Sequence, residues 1–429
     1  MLERLFRLKE HGTTVRTEIL AGITTFLTMS YIVFVNPQIL KAAGMDHGAV
    51  FVATCLAAAI GSLIMGLYAN YPVALAPGMG LNAFFTYGVV LGMGHTWQVA
   101  LGAVFVSGIA FLCLSLLPIR EWIINAIPKS LKMAISAGIG LFLAIIALQN
   151  AGIVVAHPAT LVAMGDLKKP EAVLAAGGFV ILAAMWARRV PGAAIIAILL
   201  VTAMGVGLGV TPASGIASAP PSLAPTFMAM DVKGALDIAL IGVIVAFLFV
   251  DLFDTAGTLV GVAHRAGMLD ANGRLPRLKR ALVADSTATV AGAMFGTSTT
   301  TSYIESAAGI AAGGRTGLTA VTVAVLFLLA LFLSPLAATV PAYATAPALL
   351  LVACLMTRGL AEIPWDDITE AAPAALTAIA MPLTFSIATG IGFGFIAYAV
   401  IKLLAFRAQE ASPAVMVLAL IFALKFTLL

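Results

Sequence analysis

Residues 295–303 read FGTSTTTSY, and residues 73–80 read VALAPGMG. Each stretch interrupts a segment that otherwise has the composition of a membrane helix. The six consecutive hydroxyl residues of the first stretch compete with helical hydrogen bonding, and a proline with two glycines breaks the second. Non-helical backbone is tolerated at membrane depth only where protein or a cavity covers it. The two stretches therefore predict interrupted helices inside the molecule, although a pair of Gly/Pro kinks is the alternative.

The composition places the rest of the chain in a lipid bilayer. Of its 429 residues, 62% are hydrophobic and 10% are charged, and the mean hydropathy is +1.09. A soluble domain has about 25% charged residues, and a membrane-spanning helix needs about 20 apolar ones. The sequence predicts an all-α polytopic membrane protein with about 14 spans, plus a short apolar stretch, 413–428, that spans or packs on the bundle. The predicted spans are 18–41, 49–70, 73–92, 97–117, 131–150, 172–189, 192–210, 236–258, 279–296, 302–313, 316–338, 342–358, 367–381 and 384–405.

Lysine and arginine predict the orientation of these spans. With the N-terminus in the cytoplasm, eighteen of the 23 fall in inside segments and four in outside loops, and Lys425 is the remaining one. This is the bias of multi-pass inner-membrane proteins. The basic start of the chain precedes a long apolar run, which indicates a start-transfer helix. We expect a bacterial inner (plasma) membrane protein with a cytoplasmic N-terminus, and the net charge of +4 gives no reason to expect nucleic acid as a partner.

The two interrupted stretches occupy matching places in the chain. Fourteen spans divide into two halves of seven, and an odd number of spans gives the second half inverted topology. Each interrupted stretch lies in the third span of its half. Matched interrupted helices in inverted repeats are typical of transporter substrate sites, because their N-terminal N–H groups and positive dipole ends face the ligand. The sequence therefore predicts 7+7 inverted repeats around a substrate site.

Carboxylates inside predicted membrane helices are the strongest functional signal. A charged side chain at the centre of such a helix costs about 2.5–3.5 kcal/mol on insertion scales, so each is a candidate for proton coupling. The four are Asp251 and Asp254 in span eight, Asp285 in span nine and Glu305 in span ten. Asp251 and Asp254 are three residues apart and share a helix face. For Asp285, a structural ion pair with Arg280 is the favoured interpretation, and for Glu305, a capping box that begins at Ser302 competes with ligand binding.

Other side chains near the interrupted stretches could contact a ligand. Asn82 stands at the start of the third-span helix and is either a cap or a ligand-binding amide. Phe84, Phe85 and Phe253 lie near the polar groups. Phenylalanine in a membrane helix usually packs, and stacking on a flat ring is the alternative.

The motifs that the sequence lacks exclude several activities. There is no G-x-x-x-x-G-K-[ST], H-E-x-x-H or C-x-x-C motif, so we expect no ATP hydrolysis, no metal and no cofactor. The five histidines lie in the N-terminal segment or in loops. An intramembrane enzyme would need a nucleophile–base pair or a metal triad, and no histidine lies in the membrane to serve. We expect a protein that is not an enzyme.

Four stretches resemble the AzgA-like purine permeases, a branch of the nucleobase–ascorbate transporter family. The resemblance runs from about residue 7 to residue 402. The stretches that carry it are GITTFLTMSY at 22–31, APGMGLNAFF at 76–85, FVDLFDTAGTL at 249–259 and TTTSYIESAAG at 299–309.

The resemblance implies an architecture of two domains. Spans 1–4 and 8–11, within residues 1–117 and 236–340, would form a core domain. Spans 5–7 and 12–14, within residues 118–235 and 341–429, would form a gate domain. Spans three and ten would each carry a short antiparallel strand before a half-helix, with the substrate between the strands.

The resemblance also implies a set of site residues. In the family, the acid of span ten matches Glu305 and the acid of span eight most nearly matches Asp251, although Asp254 is an alternative register. The substrate-binding set that we predict is Thr28, Asn82, Ala83, Phe84, Asp251, Phe253, Ser302, Tyr303 and Glu305.

The function that these predictions favour is proton symport of adenine, guanine or hypoxanthine with an elevator-like movement of core against gate. The alternatives are an anion carrier of similar architecture, such as a sulfate or bicarbonate type, and a channel. Facing helix dipoles favour an anion, whereas several acids in one cavity disfavour it. The sequence leaves open which purine is preferred, the proton stoichiometry and whether the protein forms a homodimer.

Overall fold

The computed structural model describes residues 2–117, 127–237, 240–266 and 275–428. Two of the basic residues used for the orientation, Arg120 and Arg274, lie outside the described residues. The helices of the first half of the chain are α1 (Leu2–Phe6), α2 (Val15–Met29), α3 (Ile32–Ala42), α4 (His47–Ile64), α5 (Met79–Ala83), α6 (Trp97–Leu116), α7 (Lys129–Asn150), α8 (Pro170–Ala187), α9 (Ala193–Gly207) and α10 (Val232–Ala235).

The second half has a similar series of helices. They are α11 (Ile241–Ala266), α12 (Leu278–Phe295), α13 (Ser306–Ala311), α14 (Gly317–Ala330), α15 (Ser334–Thr339), α16 (Ala342–Thr357), α17 (Ile368–Thr384), α18 (Ile387–Leu404) and α19 (Pro413–Leu428). Each of the fourteen predicted spans contains helix. Spans one and eleven are each divided into two helices, α2 with α3 and α14 with α15, and spans three and ten each combine a strand with a short helix. Among the described residues, eight helical segments are long and apolar enough to cross a membrane. The predicted class of polytopic helical membrane protein is therefore confirmed.

Spans three and ten carry, at the two interrupted stretches, the short antiparallel strands that the resemblance implied. Strand β1 (Leu75–Pro77) pairs antiparallel with β4 (Thr300–Ser302), with Ala76 opposite Thr301. The half-helices α5 and α13 follow these strands. The strands are antiparallel, so the two half-helices follow strands that run in opposite directions.

Two further features are absent from the sequence predictions. Strands β2 (Val154–His157) and β3 (Leu161–Met164) form an exposed hairpin between α7 and α8. Four-residue strands without polar–apolar alternation give no usable periodicity, so the sequence did not indicate them. The helices also widen to π-helical geometry over Met65–Ala69 and Phe84–Gly92, and both segments adjoin the interrupted third span.

The helices pack in two groups. In the first, α2, α4, α6, α11, α12 and α14 pack together, and α4, α11 and α12 contact the strand pair. In the second, α7 contacts α16 and α17, while α8, α9 and α18 complete the group. Helix α19 lies on the outside of α18, where the rings of Phe395 and Phe422 stack with centroids 6.4 Å apart. The apolar stretch 413–428 therefore packs on the bundle.

A cluster of ion pairs joins α17, α18 and the segment that follows α18. The fully buried Nζ of Lys402 lies 2.7 Å from Oε1 of Glu370 and 2.6 Å from Oε2 of Glu410. Arg407 bridges the same segment, 2.8 Å from Oδ2 of Asp367 and 2.7 Å from Oε1 of Glu410. These contacts fix the ends of two helices in the second group.

Candidate functional site

The backbone of the strand pair is held by serine hydroxyls from neighbouring helices. The N–H of Leu75 donates to Oγ of Ser62 at 2.9 Å, and the N–H of Ala74 donates to Oγ of Ser306 at 3.0 Å. Non-helical backbone inside a membrane protein needs such partners, because no water is available to replace them. The hydroxyl-rich composition of this region therefore supports the strand geometry directly.

Asp285 is tied to the strand pair by hydroxyl groups. Its carboxylate is fully buried and accepts hydrogen bonds from Oγ of Ser302 and from Oγ1 of Thr255, both at 2.8 Å. The Thr255 hydroxyl is also 2.7 Å from that of Thr301. The side chain thus links α12, α11 and β4 at the centre of the first group of helices.

The predicted ion pair between Asp285 and Arg280 is wrong. Positions five apart on an α-helix point about 140° away from each other, so the two side chains lie on different faces of α12. The guanidinium of Arg280 instead lies 5.7 Å from the centre of the Tyr68 ring. Asp285 is therefore held by neutral hydroxyl donors rather than by a cation.

Asp251 lies beside the same strand but in a less complete network. It is 1% exposed, and its Oδ2 lies 2.9 Å from Oγ1 of Thr289. That hydroxyl also lies 2.9 Å from the carbonyl oxygen of Thr300. The Oδ1 atom has no hydrogen-bond partner among the described residues. One hydroxyl proton therefore faces two acceptors.

Glu305 lies at the open side of the strand pair. Its carboxylate is partly exposed, and Oε1 accepts a hydrogen bond from the Tyr31 hydroxyl at 2.7 Å. The exposed Asp254 on α11 is within electrostatic range of Glu305. The four carboxylates therefore separate into two that are sealed in the core and two that reach the space beside the strands.

The capping box that was the alternative role for Glu305 in the tenth span is not formed. Glu305 itself precedes α13, and its side chain makes no capping hydrogen bond. Ser302 lies in β4, where its hydroxyl donates to Asp285 instead. Because the helix begins later than predicted, the Glu305 carboxylate is not needed to cap it.

The predicted site residues of span three occupy buried positions at the other half-helix. Asn82 is fully buried in α5 and neither amide atom has a hydrogen-bond partner among the described residues. Gly78 occupies the N-cap position, so Asn82 does not cap the helix. Ala83 is fully buried, and the Phe84 ring packs 5.1 Å from that of Phe247. An unpaired buried amide is costly, which makes Asn82 a strong candidate for ligand contact.

The other predicted site residues shape the space around Glu305. The Tyr303 hydroxyl donates to the carbonyl oxygen of Pro77 across the strand pair. Thr28 donates to the carbonyl oxygen of Thr25 at 2.7 Å in its own helix, and its hydroxyl lies 3.5 Å from the Glu305 carbonyl oxygen. The Phe253 ring stacks with that of Phe249, with centroids 5.8 Å apart.

Sequence reasoning missed several residues of this site. Tyr31, Thr255, Thr289 and Thr301 all hydrogen-bond to a carboxylate or to a carboxylate's partner. Their signal in the sequence was only that they are hydroxyl residues in apolar segments. Pairing them with particular acids requires the rotation of each helix, which sequence periodicity does not provide.

Comparison with known proteins assigns this chain to a family. The sequence model of that family, described as Permease family (Xan_ur_permease), matches residues 16–393. The chain belongs to this permease family. The adenine permease AdeP of Escherichia coli (strain K12) is 52% identical over 425 residues, covering 99% of this chain and 96% of the relative. The guanine/hypoxanthine permease PbuG of Bacillus subtilis (strain 168) is 48% identical over 440 residues, covering 100% of both chains.

A solved structure has the same fold. The transmembrane domain of a cyanobacterium bicarbonate transporter BicA superposes with a TM-score of 0.66 over 88% of this permease and 96% of that chain, at 17% sequence identity. At this identity the likeness concerns the fold alone. The helical membrane fold is therefore shared.

Proposed function

We propose that this permease takes up purine nucleobases, namely adenine, guanine and hypoxanthine, by proton symport. The observation that carries the proposal is the partly exposed carboxylate of Glu305 beside the paired strands, with Asp254 nearby. Relatives of nearly the same length at 48% and 52% identity bear the names of adenine and guanine/hypoxanthine permeases. Both the chemistry of the site and these names favour a purine.

The polar groups of the site match a neutral purine. Such a ring offers N–H donors, carbonyl or amine edges and a flat face. The Glu305 carboxylate can accept two N–H groups side by side, and the unpaired amide of Asn82 can both donate and accept. The ring of Phe253 supplies an apolar face for stacking. A site with few buried polar groups discriminates well, because a mismatched ligand leaves them unpaired.

We infer that Asp251 carries the coupled proton. The Thr289 hydroxyl faces both Asp251 and the Thr300 carbonyl oxygen at 2.9 Å, and it can donate to only one of them. A proton on Asp251 would donate to the Thr289 oxygen, whose own proton would then serve Thr300. This arrangement gives a hydrogen bond to Oδ2 of Asp251, to the Thr289 hydroxyl and to the Thr300 carbonyl oxygen at once. Asp285 differs because two separate hydroxyl groups serve its two oxygens.

The division into core and gate domains belongs to the same proposal. Contacts between the two groups of helices include those of α5 with α7 and α11 with α18. At this boundary Nζ of Lys132 lies 5.8 Å from the centre of the Phe253 ring. Gly80 in α5 approaches Ile139 in α7 so closely that a Cβ at Gly80 would overlap that side chain. A small residue at the boundary suits an elevator movement of one group against the other.

An anion carrier is the second candidate, and the fold of the bicarbonate transporter favours it. The N-terminal ends of α5 and α13 would attract an anion. Glu305 and Asp254 would repel one, however, and no cation neutralises them within the described residues. We therefore prefer the neutral purine.

We also propose a cytoplasmic N-terminus in the bacterial inner membrane, because of the bias in the distribution of lysine and arginine. Monomer and homodimer remain alternatives.

Uptake into proteoliposomes tests the proposal. Purified permease should accumulate labelled adenine, guanine or hypoxanthine when the external pH is lower than the internal pH, and excess unlabelled purine should compete. The variant Asp251→Asn should still bind purine but lose the stimulation by the proton gradient. Bicarbonate or sulfate uptake with no purine uptake would favour the second candidate. Full gradient-driven uptake by Asp251→Asn would contradict the assignment of the proton group.

A further inference from the structure

A second cavity lies away from the strand pair, at the ends of helices on the side predicted to be cytoplasmic. Its volume is about 610 Å³, and four arginines line it: Arg7, Arg277, Arg280 and Arg315. We call it the arginine pocket. Glu10 is the one acid that lines it within the described residues. Cavities of 300–1,000 Å³ are typical of small-molecule sites.

The arginines reach the pocket from three separate parts of the chain. Arg7 follows α1, Arg277 and Arg280 stand at the start of α12, and Arg315 stands between α13 and α14. The positive-inside bias explains why basic residues are frequent on one side of the membrane. It does not explain why four guanidinium groups from distant segments converge on one cavity, where like charges repel one another.

Neighbouring groups hold the guanidinium groups in place. That of Arg277 lies 5.0 Å from the centre of the Tyr71 ring, and that of Arg280 lies 5.7 Å from the centre of the Tyr68 ring. Stacking on an aromatic face leaves the N–H edges of a guanidinium available. Arg315 uses Nη1 to donate to the carbonyl oxygens of Ile310 and Gly314, at 2.8 and 2.7 Å, and its Nε and Nη2 carry further donors.

The backbone of two of these arginines adopts a conformation that side chains usually avoid. Arg7 has φ of 54° and Arg277 has φ of 62°. The left-handed region is unfavourable for residues other than glycine, asparagine and aspartate. Such strain is found where a structure must aim a side chain.

Glu10 offsets little of the positive charge of the arginine pocket, because its ion pair with Arg7 is 3.6 Å long and both side chains are more than half exposed.

We propose that the arginine pocket binds an anion that carries two or more phosphate charges. Guanidinium forks match phosphate oxygens with paired hydrogen bonds, which makes arginine the usual residue for this task. The phosphate could belong to a free polyphosphate ester or to the headgroup of an anionic lipid, and both would use the same donors. The site is separate from the purine site and does not depend on the transported substrate.

Calorimetry with tripolyphosphate as the probe tests this proposal. The full-length permease is purified in neutral detergent and titrated at constant ionic strength, because screening would otherwise mask the difference. We expect saturable binding by the wild type and at least about a hundredfold weaker binding by R277Q/R280Q, about tenfold for each charge-assisted contact. The control R4Q/K9Q removes the same charge from exposed residues that do not line the pocket, and it should bind as the wild type does.

The single variant R280Q keeps the test decisive if the double variant does not fold. It removes an exposed side chain and should weaken binding about tenfold. Titration in nanodiscs then separates the two sources of phosphate. If tripolyphosphate binds the wild type equally in discs of phosphatidylcholine and in discs with cardiolipin, whose headgroup carries two phosphates, the ligand is a free phosphate compound. If cardiolipin weakens binding to the wild type by a larger factor than it weakens binding to R280Q, the lipid headgroup occupies the pocket. Absence of saturable binding, or equal weakening in R4Q/K9Q, would overturn the proposal.

Discussion

Replacement of Glu305 by glutamine isolates the charge at the proposed purine site. The two side chains have nearly the same shape, and a glutamine oxygen can still accept the hydrogen bond from Tyr31 that is 2.7 Å long in the structure. The half-helix α13 should also be unaffected, because Glu305 makes no capping hydrogen bond. Glu305→Gln therefore changes what the site offers to a ligand and little else.

The expected loss follows from the hydrogen bonds that the carboxylate can make. Oε1 is occupied by Tyr31, but a carboxylate has further acceptor positions for the N–H groups of a purine. In glutamine, one of the two oxygens becomes an NH₂ group that meets a ligand donor. A hydrogen bond to a charged group contributes about 1.5–3 kcal/mol. Since about 1.4 kcal/mol corresponds to a factor of ten, purine binding should weaken roughly 10- to 150-fold.

Binding and transport are measured on the same preparations. Calorimetry gives the dissociation constants for adenine, guanine and hypoxanthine, and proteoliposomes with an imposed proton gradient give uptake, which should fall to background. Tyr31→Phe keeps the charge and loses one neutral donor, so binding should weaken only about 2- to 12-fold. Glu362→Gln changes an exposed acid and should have no effect. Wild-type affinity in Glu305→Gln would refute the role that we assign to this carboxylate.

Three further predictions concern stability. Hydrogen bonds from Thr369 and Arg407 lower the pKa of the Asp367 carboxyl group to about 2. The contribution of the ionised group to stability is therefore complete above the unfolded pKa of about 4, and it is lost as the pH falls through about 2. The difference in unfolding temperature between wild type and Asp367→Asn should shrink below about pH 4. Gly309→Ala should lower the yield of folded protein in size-exclusion chromatography, because a Cβ there would lie 2.5 Å from a backbone oxygen of α2. Lys402→Met leaves Glu370 and Glu410 without their buried cation and should lower the free energy of unfolding by about 3 kcal/mol. This value is at the lower end of the range for a broken buried ion pair, because the Glu410 side chain is nearly half exposed. Unchanged thermal unfolding would contradict this prediction.

The interrupted helices could be predicted from sequence because their cause is local. A proline with glycines at 77–80 and a run of hydroxyl residues at 297–302 each disfavour helix in any surroundings. The spans were equally predictable, because hydropathy needs no knowledge of neighbours. The antiparallel pairing of Leu75–Pro77 with Thr300–Ser302 followed from the resemblance to a family rather than from these local signals.

The partners of the carboxylates could not be predicted, because they depend on the relative rotation of three helices. Asp285 was expected to pair with Arg280, its neighbour in sequence, yet its donors come from α11 and β4. Sequence separation also hid Tyr31, which lies 274 residues from Glu305 along the chain but 2.7 Å from it in space. The energetic cost of a charged side chain inside a membrane helix identifies the acids that need partners. Only the packed structure identifies those partners.

The separation of the four acids by exposure fits the different roles that we propose for Asp251 and Glu305. A group that binds a ligand must be reached by it, and Glu305 and Asp254 are exposed in part. A group that holds a proton through a transport cycle is best kept from water, and Asp251 is sealed at 1% exposure. Strand β4 connects Asp251 with Glu305. The Thr289 hydroxyl faces both Asp251 and the Thr300 carbonyl oxygen of this strand, and Glu305 lies three residues after the strand ends. A change in protonation at Asp251 would alter the hydrogen bonds of β4, and through that strand it would reach Glu305, the carboxylate that we propose faces the purine.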